Sequence, residues 1–432
     1  MDRGPLDVRS AGGESPRARV GTLAPVSAGL QPVDLAPRPL GDLAPACGVE
    51  ALERIRVAAG PVEGAHVLHL TVASGIGRTP ELLQAMLPLA VDAGLRVDWR
   101  VVFGGPELTG VAGPLQDGLQ GAETAIDDEA FSAYLGACSG SVAELEDYDV
   151  VIVHDPAGAG LLPALRPRVV WNCHVDATAP DPPAWERVAP LVAEASTVVV
   201  PAAAFAPPGI DDAREVAPGI DPLSPRNLEL APRLAGRVLR QLGVDLNRPF
   251  TCQLMRMDRW KDPHATLEAF ALAREELPLL QLVLALEVER EDWPAVKEIS
   301  DYAGEAEGVF VLTSYSGLGS LELGALERIA RVCLMRALRE GFGLAASEAL
   351  WKATPVIGDR DGGVPLQVRD GIDGYLTDSP GETAERLVEL VGDPGLAIEM
   401  GKAGRERVRE RFLVTRMLED HLRLLADTLD RG

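Results

Sequence analysis

The sequence predicts an α/β protein of two consecutive domains, each a parallel sheet wrapped on both faces by helices. Three observations carry that expectation. At 432 residues the chain is too long for one ordinary core, so two domains of about 150 to 220 residues are expected. Short apolar runs ending in polar residues alternate with stretches of helical periodicity, the pattern of a sheet buried on both sides. The series is interrupted by a proline-rich segment at 201–225 and then starts again.

The elements follow in order. Residues 1–45 are rich in Pro, Gly and Ala with little periodicity and read as a flexible tail, with order expected to begin near Val49. The first domain, 46–225, opens with a helix over 49–58, a strand over 66–72, a helix over 80–93 and a strand over 96–103. The runs 150–154 and 169–173 are further strands with polar ends, and ligands of such sheets sit beyond the strand carboxyl ends. In the second domain, 226–412, strands are expected at 250–254, 280–286, 309–312, 332–335 and 355–357. Helices lie between them, among them 264–275 and 382–391. A last helix, within 413–432, carries leucines at helical spacing over 414–429 and could pack back across the cleft. No short-period repeat is evident.

The composition, 47% apolar and 25% charged, is that of a globular protein. A formal net charge of -24 argues against an electrostatic grip on nucleic acid or an anionic membrane. An acidic, solubilising surface explains it, and any anionic ligand must then be held by a local cluster of Arg or Lys inside a cleft. Five scattered cysteines, with no CxxC pair, fit reduced thiols in a cytoplasm better than a disulfide framework. The N-terminus has no compact apolar core after a basic start, and no uninterrupted apolar stretch of about 18 residues is present. A cytoplasmic location is expected. Nothing supplies the compact ligand spacing of a zinc site, so no metal is expected.

The segment 339–352 says most about what is bound. Glu340 and a Gly341-Phe342-Gly343 turn lie between the strand 332–335 and a helix over 344–352. Such a turn points backbone amides, from Leu344 onward, along the positive end of a helix dipole, which suits a phosphate. Glu340 in the turn and Glu348 in the second helical turn project toward one crevice, where they can accept hydrogen bonds from sugar hydroxyls. Two other readings stand beside this one: acids favour an exposed helix start, and Glu340 could belong to a hydrolase pair, though no second acid is placed beside it.

Arg256 and Lys261 follow the strand 250–254, five residues apart across a turn, and could clamp a diphosphate. Standing alone they would read as a solvated loop; the Gly-Phe-Gly turn on the same crevice reverses that balance. His154 and His174 both end strands of the first domain. A lone strand-end histidine is more often structural, but two on one cleft-facing edge point to function. His66, His69, His264 and His421 receive no role.

Together these pieces are similar to retaining glycosyltransferases of family 4 with the GT-B fold, and within them to the trehalose synthase branch, which includes trehalose glycosyltransferring synthases and trehalose phosphorylases. The marks are Val-His-Asp-Pro at 153–156, Trp-Asn-Cys-His-Val-Asp at 171–176, Gly-Ile-Asp-Pro-Leu-Ser-Pro at 219–225, the segment 258–263 with its Trp-Lys-Asp-Pro, and 339–352. The resemblance runs from about Val49 to the C-terminus. It implies two Rossmann-like domains facing each other across a cleft, with a nucleoside diphosphate-glucose donor on the second and a small sugar or sugar-like acceptor on the first. Arg256 and Lys261 would bind the donor diphosphate, Glu340 the hydroxyls of the transferred glucose, and Glu348 the ribose. Gly341, Phe342, Gly343 and Leu344 would lie near sugar and phosphate. His174 would contact the transferred sugar near the reacting carbon, so that His174, Arg256, Lys261 and Glu340 form the catalytic set. Gly77, Arg78, His154, Asp155, His174 and Asp176 would face the acceptor. The resemblance further implies no cofactor or metal, and a homodimer.

The chain also departs from the family. Where the family has three consecutive glycines after the first strand, this sequence has Ile76, Gly77 and Arg78, and the side chains restrict backbone approach. Asn172 replaces a usual Arg, Ala157 an amide, and Arg336-Ala337 stand near a usual Lys-Ser. The expectation is retained nucleotide-sugar binding with a changed acceptor, which Arg78 would meet. A phosphorylase working with inorganic phosphate and a non-catalytic nucleotide-sugar-binding protein are the alternatives.

Overall fold

The computed structural model describes residues 29–430 apart from 74–77, 144, 146, 167, 289–292, 305 and 340. The first sheet contains β1 (Gly29–Pro32), β2 (His66–Val72), β3 (Arg96–Phe103), β4 (Val150–His154), β5 (Val169–Asn172), β6 (Thr197–Val200) and β7 (Arg214–Glu215). Their spatial order is β1-β3-β2-β4-β5-β6-β7. The second contains β8 (Phe250–Arg256), β9 (Gln281–Glu287), β10 (Val309–Thr313), β11 (Val332–Met335), β12 (Val356–Asp359) and β13 (Gly374–Thr377), ordered β10-β9-β8-β11-β12-β13. Every pairing is parallel except β1 with β3. Both sheets are therefore of the Rossmann-like, doubly wound kind.

Burial on both faces explains why these strands read as unbroken apolar runs. On β2, Leu68, Leu70 and Val72 enter a core with helices Pro106–Leu119 and Asp128–Ser141. Val67, in the alternate phase, joins the opposite core, with helices Val49–Ala59, Thr79–Asp92 and Val414–Asp430.

The expected flexible tail reaches too far into the chain. Gly29–Pro32 adds an antiparallel edge strand to Arg100–Phe103, and Leu40 and Leu43 are buried in the core under helix Val49–Ala59. Order at residues 29–47 precedes the expected start near Val49. A four-residue edge strand carrying a glycine and a proline has no alternation for a sequence reading to detect.

The chain crosses between the domains twice, side by side. Ile220 N donates to the Phe412 carbonyl and Val414 N to the Ile220 carbonyl, both at 2.8 Å. Gly219 permits this approach, since a Cβ there would lie 2.4 Å from the Leu413 carbonyl oxygen. Arg38 then holds the neighbouring Asp221 through two hydrogen bonds of 2.6 and 2.9 Å. The terminal helix Val414–Asp430, continuous with the second domain, packs on helices Val49–Ala59 and Thr79–Asp92 of the first.

Among the parallel strands of each sheet the order reverses direction at one point, between β2 and β4 in the first and between β8 and β11 in the second. Crevices at strand carboxyl ends open at such points. The two crevices face each other and make one cleft, lined from both domains.

Candidate active site

The loops after β8 and β11 are tied together before they present anything to the cleft. Lys261 bridges Ala337 in antiparallel fashion. Leu338 N donates to the Trp260 carbonyl at 2.7 Å, and Gln253 Nε2 to the Arg336 carbonyl at 2.9 Å. Arg256 and Lys261 thus share one wall with the Gly341-Phe342-Gly343 turn, around a cavity of about 240 Å³. Among the described residues no carboxylate forms an ion pair with Arg256.

Gln367, fully buried, sets the turn: Nε2 donates to the carbonyls of Phe342, Gly343 and Gly363, while Oε1 accepts from Ser347 N at 2.9 Å. Gly363 lies so close beneath that a Cβ would sit 2.0 Å from the Gly341 carbonyl oxygen. Gly343 has φ 74°, the left-handed region open to glycine, and the helix Leu344–Trp351 starts from it. Gly343, Leu344 and Ala345, at the start of that helix, line the cavity, where unpaired first-turn amides suit an anion.

The first domain supplies the opposite wall: Arg78, Thr79, Asp155 and His174. Gly341 approaches it closely, since a Cβ there would be 3.9 Å from the His174 carbonyl oxygen. Asp155 holds a conformation that L residues rarely adopt, φ 64° and ψ 159°, of a kind that costs on the order of 1–3 kcal/mol and clusters at functional sites. Three contacts enforce it. Asp155 N donates to the Asn172 carbonyl at 3.0 Å, its own carbonyl accepts from Trp171 Nε1 at 3.1 Å, and its carboxylate accepts from Thr79 Oγ1 at 2.8 Å.

Three contacts clamp the domains together across the cleft. Arg78 donates to both oxygens of Glu348, at 3.0 and 2.9 Å. Arg339 donates to Asp176 Oδ2 at 3.2 Å and to Thr178 Oγ1 at 3.1 Å. Trp260 Nε1 donates to Asp117 Oδ1 at 3.3 Å. Asp176 therefore faces Arg339, and Glu348 is met by cations from two sides, since Arg226 lies 2.9 Å from its Oε2. Burial pushes the Glu348 carboxyl up, but Arg226 and Arg78 outweigh it and hold it down at about 2. Behind them the buried Glu327 pairs with Arg226 at 3.0 Å and with Lys352 at 2.8 Å.

Of the residues singled out in the sequence, Arg78, Asp155, His174, Arg256, Lys261 and the segment Gly341 to Leu344 line the one cavity. Glu348 lines an adjoining cavity of about 450 Å³, shared with Arg78 and Arg226. His154 lies one step behind His174, its Nδ1 2.9 Å from His174 Nε2. Gly77 and Glu340, with Ile76, fall outside the described residues. Sequence reasoning missed Arg226, Arg339 and Gln367. Arg226 abuts the motif 219–225 and Arg339 opens the motif 339–352, whereas Gln367 carried no signal of its own.

Buried neutral histidines surround the site, so acid should unfold it. His421 is pushed down by burial from its ordinary 6.5 to about 4. Between those values the unfolded chain binds a proton that the fold refuses. Stability is unchanged above about pH 6.5 and falls as pH drops through that window, by roughly 3 kcal/mol for this group. His69, His154 and His174 are shifted in the same direction, mainly by burial. Asp359, raised by burial to about 6, opposes them, because protonating it on acidification favours the fold. The expected result is a Tm that falls between about pH 7 and about pH 4.5, less steeply in His421→Leu. Parallel curves for the two proteins would contradict it.

Comparison with known proteins agrees with this geometry. Residues 71–207 match the family described as trehalose synthase, N-terminal domain, and 237–407 match glycosyl transferases group 1. Sucrose-phosphate synthase from Thermosynechococcus elongatus shares the fold, with a TM-score of 0.65 at 18% identity over 85% of this chain and 100% of that one. Anabaena HepE, in complex with UDP-glucose, gives 0.63 at 17% identity over 85% and 100%. Fold and site define a glycosyltransferase of the GT-B class. The trehalose synthase of Rubrobacter xylanophilus is 36% identical over 93% of this chain and 99% of its own length; that of Pyrococcus horikoshii is 31% identical over 90% and 96%. The chain belongs to the trehalose synthase family.

Proposed function

We propose that this protein moves glucose, with retention, from a nucleoside diphosphate-glucose to a small sugar acceptor, and that with free glucose as acceptor it forms trehalose. The observation that carries the reading is the single cavity in which Arg256, Lys261 and the Gly-Phe-Gly turn of one domain face His174 and Asp155 of the other. In the transition state the glycosyl C1–O bond breaks, positive charge grows on the sugar, and negative charge grows on the departing diphosphate. Arg256 and Lys261 stabilise the leaving group as that charge develops, where such contacts count most. The acceptor hydroxyl attacks C1 from the face the diphosphate leaves and gives its proton to the departing phosphate oxygen. No protein nucleophile and no metal is then required.

Amides of Phe342, Gly343 and Leu344 assist at sugar and phosphate, Glu340 takes glucose hydroxyls, and His174 touches the transferred sugar. Asp155, His154 and Asp176 shape the acceptor side, together with Gly77. A cytoplasmic location accords with five free cysteines, Cys252 and Cys333 among them with sulfurs 3.6 Å apart. Among the described residues no helix is long and apolar enough to cross a membrane.

The test is an initial-rate assay with UDP-, ADP- and GDP-glucose, with and without glucose, following nucleoside diphosphate release and product mass. Trehalose is expected. Absence of glucose-dependent release with every donor, or turnover of trehalose with inorganic phosphate alone, would overturn the assignment.

Arg78 refines the prediction made from sequence. Its guanidinium is engaged with Glu348, the residue assigned to the ribose, so it competes with the nucleotide rather than waiting for an acceptor. Arg78→Gly should therefore tighten nucleoside diphosphate binding, by about tenfold or roughly 1.4 kcal/mol. Calorimetric titration measures it, and unchanged or weaker binding would end the competition idea.

A further inference from the structure

Four of the six histidines stand in one row on the face of the first sheet covered by the terminal helix. Strand register puts three of them there. His69 is level with Ile152 across β2 and β4, and His154 is level with Asn172 across β4 and β5. Side chains alternate along a strand, so moving one strand over and two residues on returns to the same face. His154 is two residues past Ile152, and His174 two past Asn172. The rings meet in line: His69 Nδ1 is 3.0 Å from His154 Nε2, and His154 Nδ1 is 2.9 Å from His174 Nε2. The planes of neighbouring rings in this trio are 15° from parallel. His421, from the terminal helix, lies beside His69 with ring centroids 5.3 Å apart. His69, His154 and His421 are buried, and His174 alone reaches the cavity.

Each neutral imidazole offers one N–H and one bare nitrogen. Two bonds joining three rings then allow only two arrangements. If His174 donates from Nε2, His154 must donate from Nε2 to His69, and all three rings are Nε2–H. If His69 donates from Nδ1, all three are Nδ1–H. Any mixture sets two N–H groups, or two lone pairs, against each other in contacts that are buried (His69 with His154) or part-buried (His154 with His174), and polar groups left without partners there are costly. The remaining nitrogen of His174, Nδ1, is bare in the first arrangement and carries hydrogen in the second.

We propose that His154 and His69 are positioning residues for His174: their hydrogen-bonded row fixes its tautomer and so decides whether its remaining nitrogen, Nδ1, accepts from or donates to a sugar hydroxyl. The consequence for a sugar rests on the proposed function; the matched tautomers do not. The row ends against a helix continuous with the donor domain, so the far end of the chain of rings is held by the element that crosses between domains.

The test uses full-length, substrate-free protein labelled with 15N in histidine, at a pH where the rings are neutral. Nitrogen shifts and their couplings to ring protons report each tautomer. The expected spectrum has His69, His154 and His174 all in the same form. In His69→Gln, which does not touch His174, and in His154→Gln, the amide can donate or accept, so the fold is kept while the coupling is lost. His174 should then populate both tautomers, and kcat should fall about tenfold to a hundredfold with donor KM nearly unchanged. Unmatched tautomers in the wild type, or an unaltered His174 in both variants, overturn the proposal. The wild-type spectrum decides even where a variant fails to fold. Matched tautomers in a protein that transfers no glucose would sink the functional reading and leave the row of histidines standing.

Discussion

Arg256→Ala is expected to lower kcat/KM for the nucleotide-sugar donor by about a hundredfold to a thousandfold while leaving Tm where it is. The two halves of that result have separate causes. No carboxylate among the described residues pairs with Arg256, so its removal strands no buried partner. Its role, if the donor lies as proposed, is confined to the charge that appears on the diphosphate as the C1–O bond breaks. A cation aimed at developing charge acts on the transition state more than on the ground state, so kcat should carry most of the loss. Lys261→Ala should behave similarly at the rate level. The double variant should fall short of the product of the two singles, because both cations serve one leaving group. Arg256→Lys should recover part of the rate, keeping the charge and losing the planar fork. Initial rates with saturating acceptor decide the matter, and a loss under about tenfold in Arg256→Ala would remove it from the catalytic set.

The parts of this protein that were legible in the sequence are those that obey a local rule. β2, β3, β4 and β11 occupy the residues expected of them, because a strand buried on both faces must be apolar along its whole length and polar only where it ends. The Gly-Phe-Gly turn was legible because a left-handed Gly343 and a helix start leave a compositional trace. The place of Arg256 and Lys261 on the cavity wall was legible only in company, because the Gly-Phe-Gly turn on the same crevice outweighed the reading of a solvated loop.

What stayed hidden depends on register and on contacts between distant segments. Arg78 and Glu348 are 270 residues apart, and Arg339 reaches across 163 residues to Asp176. Neither pairing has a periodicity. His69 looked like a buried histidine without a role, because its neighbour is found only by knowing that His69 is level with Ile152 on the next strand. β1 escaped because its hydrogen bonds, rather than an apolar pattern, hold it to β3. The sequence also suggested an acceptor-facing Arg78; the fold turns the same guanidinium toward the donor domain.

The largest stability effect is expected at Glu327, which touches no ligand. Its carboxylate is fully buried between Lys352 and Arg226, and Arg226 in turn holds Glu348 against Arg78. The group balances three cations, Lys352, Arg226 and Arg78, with three carboxylates, Glu327, Glu348 and the more exposed Glu81. Glu327→Ala leaves the ammonium of Lys352, 1% exposed, with only Asn227 Oδ1 and the Glu348 carbonyl as acceptors among the described residues. Breaking one side of a buried pair in this way costs about 3–5 kcal/mol, because desolvation is no longer offset by the partner. Replacing both members with apolar residues of similar size removes the charge and its desolvation together, so Glu327→Met with Lys352→Met should regain most of the loss. Denaturant unfolding of the three variants tests this. A single variant within about 1 kcal/mol of wild type, or a double variant worse than the single, would show that the network is not held by this charge balance. Activity adds a second reading: Arg226 is released on one side in Glu327→Ala, so Glu348 should shift and nucleotide affinity should fall even in protein that remains folded.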